Sequence, residues 1–174
     1  LNLSCPHAKG YGMAMGQDAG LVKEIIQAVK AVVNIPVVPK LTPNVPNIAE
    51  IARAAVEGGA DALCAINTAG PAYYTAFGKP VLTNELGGMS GRGVLPIALK
   101  CIREMREAVD VPIIGCGGVA TLDNVKAIRD EGASIFGIGS ALTGMNSDEV
   151  AEYFSEIQSG LEKDESSAGE LVAV

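Results

Sequence analysis

Two stretches of the chain carry one pattern. NIPVVPK (34–40) followed by EGGADALCAINTAG (57–70) is echoed by DVPIIGC (110–116) followed by DEGASIFGIGSALTG (130–144). Each runs from an Ile-Pro or Val-Pro apolar strand through a helical segment and a Gly-Ala pair to a second apolar strand with a polar or glycine end. Parallel strands cannot be joined by a tight turn and need a crossover, usually a helix. Repeated βα units therefore predict a parallel sheet clothed by helices. Five short apolar runs fit the strands: Leu1–Ser4, Val37–Leu41, Ala62–Asn67, Pro112–Gly115 and Ile135–Gly139. They are apolar throughout rather than alternating, as expected for strands covered on both faces.

The segments between them have helical spacing. AGLVKEIIQAVKAVV is read with Leu21, Ile25, Val29 and Val32 on one face. NIAEIARAAVEGG stops at a glycine pair, and SDEVAEYFSEIQSGLEK starts on Ser/Asp. GVLPIALKCIREMREAV and LDNVKAIRDEG complete an order β-α-β-α-β-α-β-α-β-α. A doubly wound sheet satisfies this order. A TIM (β/α)8 barrel fits better, because polar and glycine residues end nearly every strand, where barrel sites lie. A full barrel takes ~250 residues. With 174 residues, a first residue Leu1 and an opening that reads as mid-strand, the expectation is a barrel truncated to about its last five strands and helices. Residues 1–163 are read as that partial barrel and 164–174 as a C-terminal tail.

Charge and cysteine usage exclude several functions. A net charge of −7 without a basic stripe argues against nucleic acid. No apolar run reaches the ~18 residues of a membrane span. Four cysteines, Cys5, Cys64, Cys101 and Cys116, stand apart with no C-x-x-C pair, so no metal site is expected and a reducing cytoplasm is the default.

On a barrel, the strand ends converge on one mouth: Asn2 and Cys5, Lys40, Asn67 and Thr68, Gly117 and Gly118, Gly139 and Ser140. GCGGVATLDN and GIGSALTG place consecutive backbone N–H groups where barrels often hold phosphate, although glycines also serve tight βα turns. Lys40, in an apolar strand, must meet an anion, a polar ligand or a neighbouring carboxylate. Asn67 and Thr68 offer amide and hydroxyl groups to a ring edge, or a turn. The connection AGPAYYTAFGKPVLTNELGGMSG is read as a long loop, a cover over the site, with Tyr73 and Tyr74 either shielding it or packing at the surface. Gly87, Gly88, Ser90 and Gly91 form its flexible end. Cys5 lies on a glycine-punctuated run beside His7 and Lys9; its thiolate would serve as base or nucleophile, and the alternative is an inert strand-end thiol.

In order along the chain, NLSCPH…GQD, KLTPN, INT, GGMSG, IIGCGGV and GIGSAL resemble the C-terminal half of class 1 dihydroorotate dehydrogenases. They also resemble the pyrimidine-reducing barrel of dihydropyrimidine dehydrogenases. The resemblance runs from residue 1 to about residue 160 and implies a soluble, FMN-binding TIM barrel that oxidises dihydroorotate in pyrimidine biosynthesis. It implies Cys5 as the acid/base thiol on a mobile lid, assisted by His7. Asn2, Asn67 and Thr68 would hold the pyrimidine. Lys40 and Ile66 would contact the flavin, and Gly91, Gly117, Gly118, Gly139 and Ser140 its ribityl and phosphate. It further implies a homo-oligomer and an acceptor that is fumarate, or NAD through a separate iron–sulfur/FAD electron-transfer subunit. SCPH with GQD follows the dihydropyrimidine dehydrogenase pattern, whereas GKPVLTNELGGMSG reads like the dihydroorotate enzymes. Uracil or thymine reduction is therefore the alternative activity, and a non-catalytic half-barrel the alternative of another kind.

Overall fold

The computed structural model describes residues 1–4 and 13–170. Cys5 and His7 lie outside the described residues. In chain order, α1 (Met13–Gly16) and α2 (Ala19–Lys30) precede β1 (Lys40–Leu41), and α3 (Ile48–Glu57) precedes β2 (Leu63–Ala65). Four short strands follow: β3 (Ala69–Tyr73), β4 (Thr75–Ala76), β5 (Lys79–Pro80) and β6 (Leu86–Met89). A 3-10 turn at Arg92–Val94 opens α4 (Leu95–Ala108), and β7 (Ile113–Cys116), α5 (Leu122–Asp130), β8 (Ile135–Gly137) and α6 (Ser147–Glu170) complete the order.

The central sheet is four-stranded and wholly parallel, in the order β1-β2-β7-β8. Its register sets Lys40 against Cys64, Leu63 against Ile113 and Ile114 against Ile135. The helices start where side chains can take an orphan N–H. Asp18 accepts from Leu21 N, Asn47 from Glu50 N and Thr121 from Asn124 N. α2 packs on α3, α3 on α4 and α4 on α5. Ile26, Ile48, Leu63, Ile102, Met105, Ile113 and Ile128 form the sealed core beneath them.

Several sequence expectations are corrected. Leu1–Ser4 is not a full strand: Asn2 makes an isolated parallel bridge to Lys40, with Lys40 N donating to Leu1 O at 2.7 Å. Val37–Leu41 is ordered as a strand only at 40–41. Pro36 and Pro39 have no N–H to give a ladder there. In α2 the sealed side chains are Val22 and Ile26, while Leu21 is exposed and Val32, beyond the helix end, is more exposed still.

The largest correction concerns residues 69–91, expected to be a loop. β3 and β6 pair antiparallel, and β4 and β5 form a smaller hairpin beyond them. The turn of that hairpin is Phe77-Gly78, with φ of 51° and 73°. Two successive positive φ values are the geometry of a two-residue hairpin turn. Phenylalanine in place of the usual Asn or Asp hides the signal, and Pro71 and Pro80 make the strands read as loop. At the other end of the chain, α6 runs past residue 163 without a break. Asp164 pairs with Lys126 at 2.7 Å and Arg129 at 2.8 Å, tying α6 to α5.

Candidate active site

A cavity of about 360 Å³ lies over the ends of the parallel strands. Lys40, Ile66, Asn67, Thr68, Gly91, Gly117, Gly118, Gly139 and Ser140 line it together, joined by Cys64, Met89, Ser90 and Cys116. Lys40 opens β1 rather than ending it, and its register partner is Cys64. The side chain is half-buried. Among the described residues it has no carboxylate partner, so its ammonium is available to whatever enters the cavity.

Asn2 lies just outside the lining but is wired into it. Asn67 Nδ2 donates to Ser4 Oγ at 2.7 Å and to Asn2 Oδ1 at 3.3 Å. Ser4 N and Ser4 Oγ both donate to Asn2 Oδ1, at 3.1 and 3.0 Å. Ser4 is 2% exposed, so it is a buried hub that fixes both asparagine amides. Thr68 N donates to Asn67 Oδ1 at 2.7 Å. A second clamp holds the far side of the same strand end. Asn44 Nδ2 donates to Thr42 Oγ1 at 3.1 Å and to Thr68 O at 3.4 Å, and Asn44 Oδ1 accepts from Gly70 N at 2.9 Å. Sequence reasoning gave no role to Ser4 or Asn44. Both stand inside quoted motifs, and their small polar side chains within otherwise apolar surroundings were the available signal.

The glycines divide into two kinds. Gly117 and Gly118 have φ of +114° and +77°, and a Cβ on Gly118 would lie 2.7 Å from Leu95 N at the start of α4. Folding alone demands glycine there. Gly139 has φ of −126°, and a Cβ there would meet nothing within 4 Å. The protein itself leaves that space open above the cavity.

Cys64 and Cys116 were missed as site residues. They stand on the neighbouring strands β2 and β7, with their sulfurs 3.7 Å apart. Cys116 Sγ also lies 3.3 Å from Ile66 O. The hydrogen bond from Cys64 pulls the Cys116 thiol down to about 7; Lys40 acts the same way and burial opposes both. The same hydrogen bond, with burial, pushes Cys64 up. The pair thus shares one proton readily and gives up the second only with difficulty. Among the described residues no group of three or more His, Cys, Asp or Glu could hold a metal ion, and no helix is long and apolar enough to cross a membrane.

The family model described as Dihydroorotate dehydrogenase matches residues 1–163. The chain belongs to the dihydroorotate dehydrogenase family. Among its relatives is the catalytic subunit of dihydroorotate dehydrogenase B (NAD(+)) of Methanosarcina acetivorans, 47% identical over 163 residues, which are 93% of this chain and 51% of that protein. The protein of the same name from Methanocella arvoryzae is 50% identical over 143 residues, 82% of this chain and 48% of the relative. That of Methanocaldococcus jannaschii is 42% identical over 175 residues, 100% of this chain and 57% of the relative. The chain thus spans about half the length of the curated relatives it matches.

Proposed function

We propose that the chain supplies the substrate-holding and proton-handling side of an FMN-dependent dihydroorotate dehydrogenase. The observation that carries this reading is the Lys40 ammonium, without a carboxylate partner among the described residues, in the wall of a cavity of about 360 Å³ at the strand ends of a dihydroorotate dehydrogenase family member. That volume lies in the range of small-molecule sites, ~300–1,000 Å³. The donor set fits a flavin mononucleotide. Lys40 would meet its electron-rich ring edge, beside Ile66. The backbone N–H groups around Gly91, Gly117, Gly118, Gly139 and Ser140 would take the ribityl and phosphate oxygens. FMN, when bound, supplies the acceptor for the hydride that leaves dihydroorotate.

The chain's own residues do the rest. Asn2 and Asn67, with Thr68 beside them, orient the pyrimidine by amide hydrogen bonds, and Ser4 prevents those amides from turning away. Cys5 removes the proton from C5 of dihydroorotate as its thiolate, with His7 assisting. The sheet would be a sector of a TIM barrel, with residues 1–163 forming the flavin-binding unit and α6 continuing beyond it. The relatives are named as NAD(+) enzymes and as catalytic subunits, which supports NAD(+) as the electron acceptor here and a separate electron-transfer subunit, for which an iron–sulfur/FAD protein is the proposal. A cytoplasmic homo-oligomer completes the proposal. The 174-residue stretch alone would bind FMN weakly and not turn over; a 1:1 FMN complex with turnover from it would overturn that point.

One observation favours a second reading. His7 follows Cys5-Pro6 in the pattern of dihydropyrimidine dehydrogenases, which reduce uracil or thymine. The test is anaerobic flavin absorbance in the full-length protein. Bleaching by dihydroorotate and not by dihydrouracil supports the leading reading. Bleaching by dihydrouracil alone replaces it with the second.

A further inference from the structure

Neither the proposed reaction nor the packing of the core uses the Cys64–Cys116 pair. Both side chains are half-buried and both line the cavity, so a reagent that enters the cavity reaches them without unfolding the protein. The third described cysteine, Cys101, is sealed in α4 at 2% exposure.

We infer that Cys64 and Cys116 form a dithiol capture site in the cavity wall, whose ligand class is the trivalent organoarsenicals and like soft electrophiles that take two sulfurs on one atom.

The argument starts from the distance. A disulfide needs its sulfurs ~2.05 Å apart, and these are 3.7 Å apart on strands fixed by their own ladder. Ladder bonds from Ile66 N to Cys116 O and from Leu63 N to Pro112 O, each 2.9 Å, hold a register that pairs Cys64 with Ile114, so Cys116 stands on the diagonal two positions on, a placement that opposes the short Cα separation a disulfide needs. A single bridging atom needs no such separation. With bonds of about 2.3 Å, the length of a zinc–thiolate bond, two sulfurs 3.7 Å apart subtend about 107° at the bridging atom. Trivalent arsenic, pyramidal with a lone pair, takes a somewhat narrower angle, which a small side-chain rotation supplies without moving the strands. A divalent cation fits less well. It would find two thiols without a third ligand among the described residues, beside the Lys40 ammonium. An arsenical leaves no net charge at the site and carries its third substituent outward into the cavity.

The chemistry balances without an oxidant. Phenylarsine oxide and two thiols give the cyclic dithioarsenite and one water. Two As–S bonds form, the As–O bond breaks, both thiol protons leave with that oxygen, and arsenic stays trivalent. The readily ionised Cys116 makes the first bond, and Cys64 closes the ring. A captured aryl group would stand where the flavin is proposed to lie. That consequence alone rests on the flavin reading.

The test is intact-mass titration of the folded full-length protein with phenylarsine oxide. The expected result is one adduct per chain, of the arsenical less one water. It is reversed by 2,3-dimercaptopropanol and not by a monothiol, and it is retained in Cys5→Ala. Cys64→Ser and Cys116→Ser should each weaken capture by about 100-fold or more, the gain that linking two binding groups supplies. Circular dichroism of the same samples identifies a variant that has not folded, and Cys64→Ala and Cys116→Ala then replace it. No adduct on the folded protein, or an adduct that survives both substitutions or yields to a monothiol, overturns the inference. Protection by FMN supports the capture site and the flavin reading together. Stoichiometric capture that FMN leaves unchanged supports the capture site and counts against the flavin reading.

Discussion

Leu63, Ala65, Ile113 and Gly115 point to one face of the central sheet, and Cys64, Ile114 and Cys116 alternate with them toward the other. On the first face the side chains are sealed: Leu63, Ala65 and Ile113 are 0% exposed, and a Cβ on Gly115 would press on Ile128 of α5 and Ala133. On the second the same strands leave half-buried groups, and the cavity opens there. The first face is bound by volume, since helices α4 and α5 fill it. The second is bound by chemistry, since Lys40 and the two thiols are costly to leave dry and unpaired. A strand that is apolar along its whole length can serve both purposes, because its side chains alternate faces.

The sharpest way to break this comparison is to remove volume on each face. Ile113→Ala should cost about 2–5 kcal/mol, the range for a large-to-small change in a packed core. Ile114→Ala, one residue on, should cost a small fraction of that. Urea unfolding of both variants decides, and equal losses would mean that the second face is packed as tightly as the first.

Adding volume gives a smaller contrast. Gly115→Ala should destabilise by about 1–3 kcal/mol, as overpacking does. Gly139→Ala meets open space and should leave the unfolding midpoint in place while weakening FMN in a fluorescence titration. A drop in stability at Gly139 with unchanged FMN affinity would reverse its assignment.

Removing charge comes next. Lys40→Met should weaken FMN by about tenfold or more, the worth of a hydrogen bond to a charged group. Stability should hold, because among the described residues the ammonium has no carboxylate partner to orphan. A wild-type affinity would free Lys40 from the flavin reading.

The cysteine pair sharpens the comparison through pH. Iodoacetamide labelling of Cys116 should follow a midpoint near pH 7, and Cys64→Ala should raise that midpoint by removing the hydrogen bond that depresses it. Because the folded pKa is depressed, the Cys116 thiolate contributes stability above its ordinary pKa, which is lost as pH falls through about 7. Cys64 works in the opposite sense. Its raised pKa keeps the folded chain protonated where the unfolded one ionises, so stability declines as pH climbs past the ordinary thiol range. A labelling midpoint that ignores Cys64 would dissolve the pair.

The smallest effect is expected far from both faces. Asp164→Ala removes the partner of Lys126 and Arg129 and should slightly lower the melting temperature, with faster amide exchange in the last turns of α6. The depressed Asp164 pKa places the loss of this tie on the acid side, as pH falls through the carboxylate range. Wild-type exchange in those turns would make the two ion pairs incidental.

Much of the helical layer was legible. Caps such as Asp18, Asn47 and Thr121, and helical spacing in between, mark helices through local chemistry alone. Which stripe of α2 is sealed was not legible, because two apolar stripes one residue apart, through Leu21 and through Val22, satisfy the same periodicity; Ile25 and Val29 of the first pack against the core while Val22 and Ile26 of the second are buried. The hairpins of residues 69–91 were illegible because antiparallel pairing of β3 with β6 joins segments separated by thirteen or more positions in a stretch rich in glycine and proline.

The sequence by itself determined the repeating βα order, and with it a parallel sheet whose strand ends gather Lys40, Asn67 and the glycine turns. Those choices rest on crossover length, periodicity and turn chemistry, all of which act between near neighbours. Only the tertiary structure decided that Ser4 holds Asn2 to Asn67, and that Cys64 and Cys116, fifty-two positions apart, lie 3.7 Å from each other. Strand register sets such meetings, and register is fixed by the whole sheet closing on its helices rather than by any residue's neighbours along the chain.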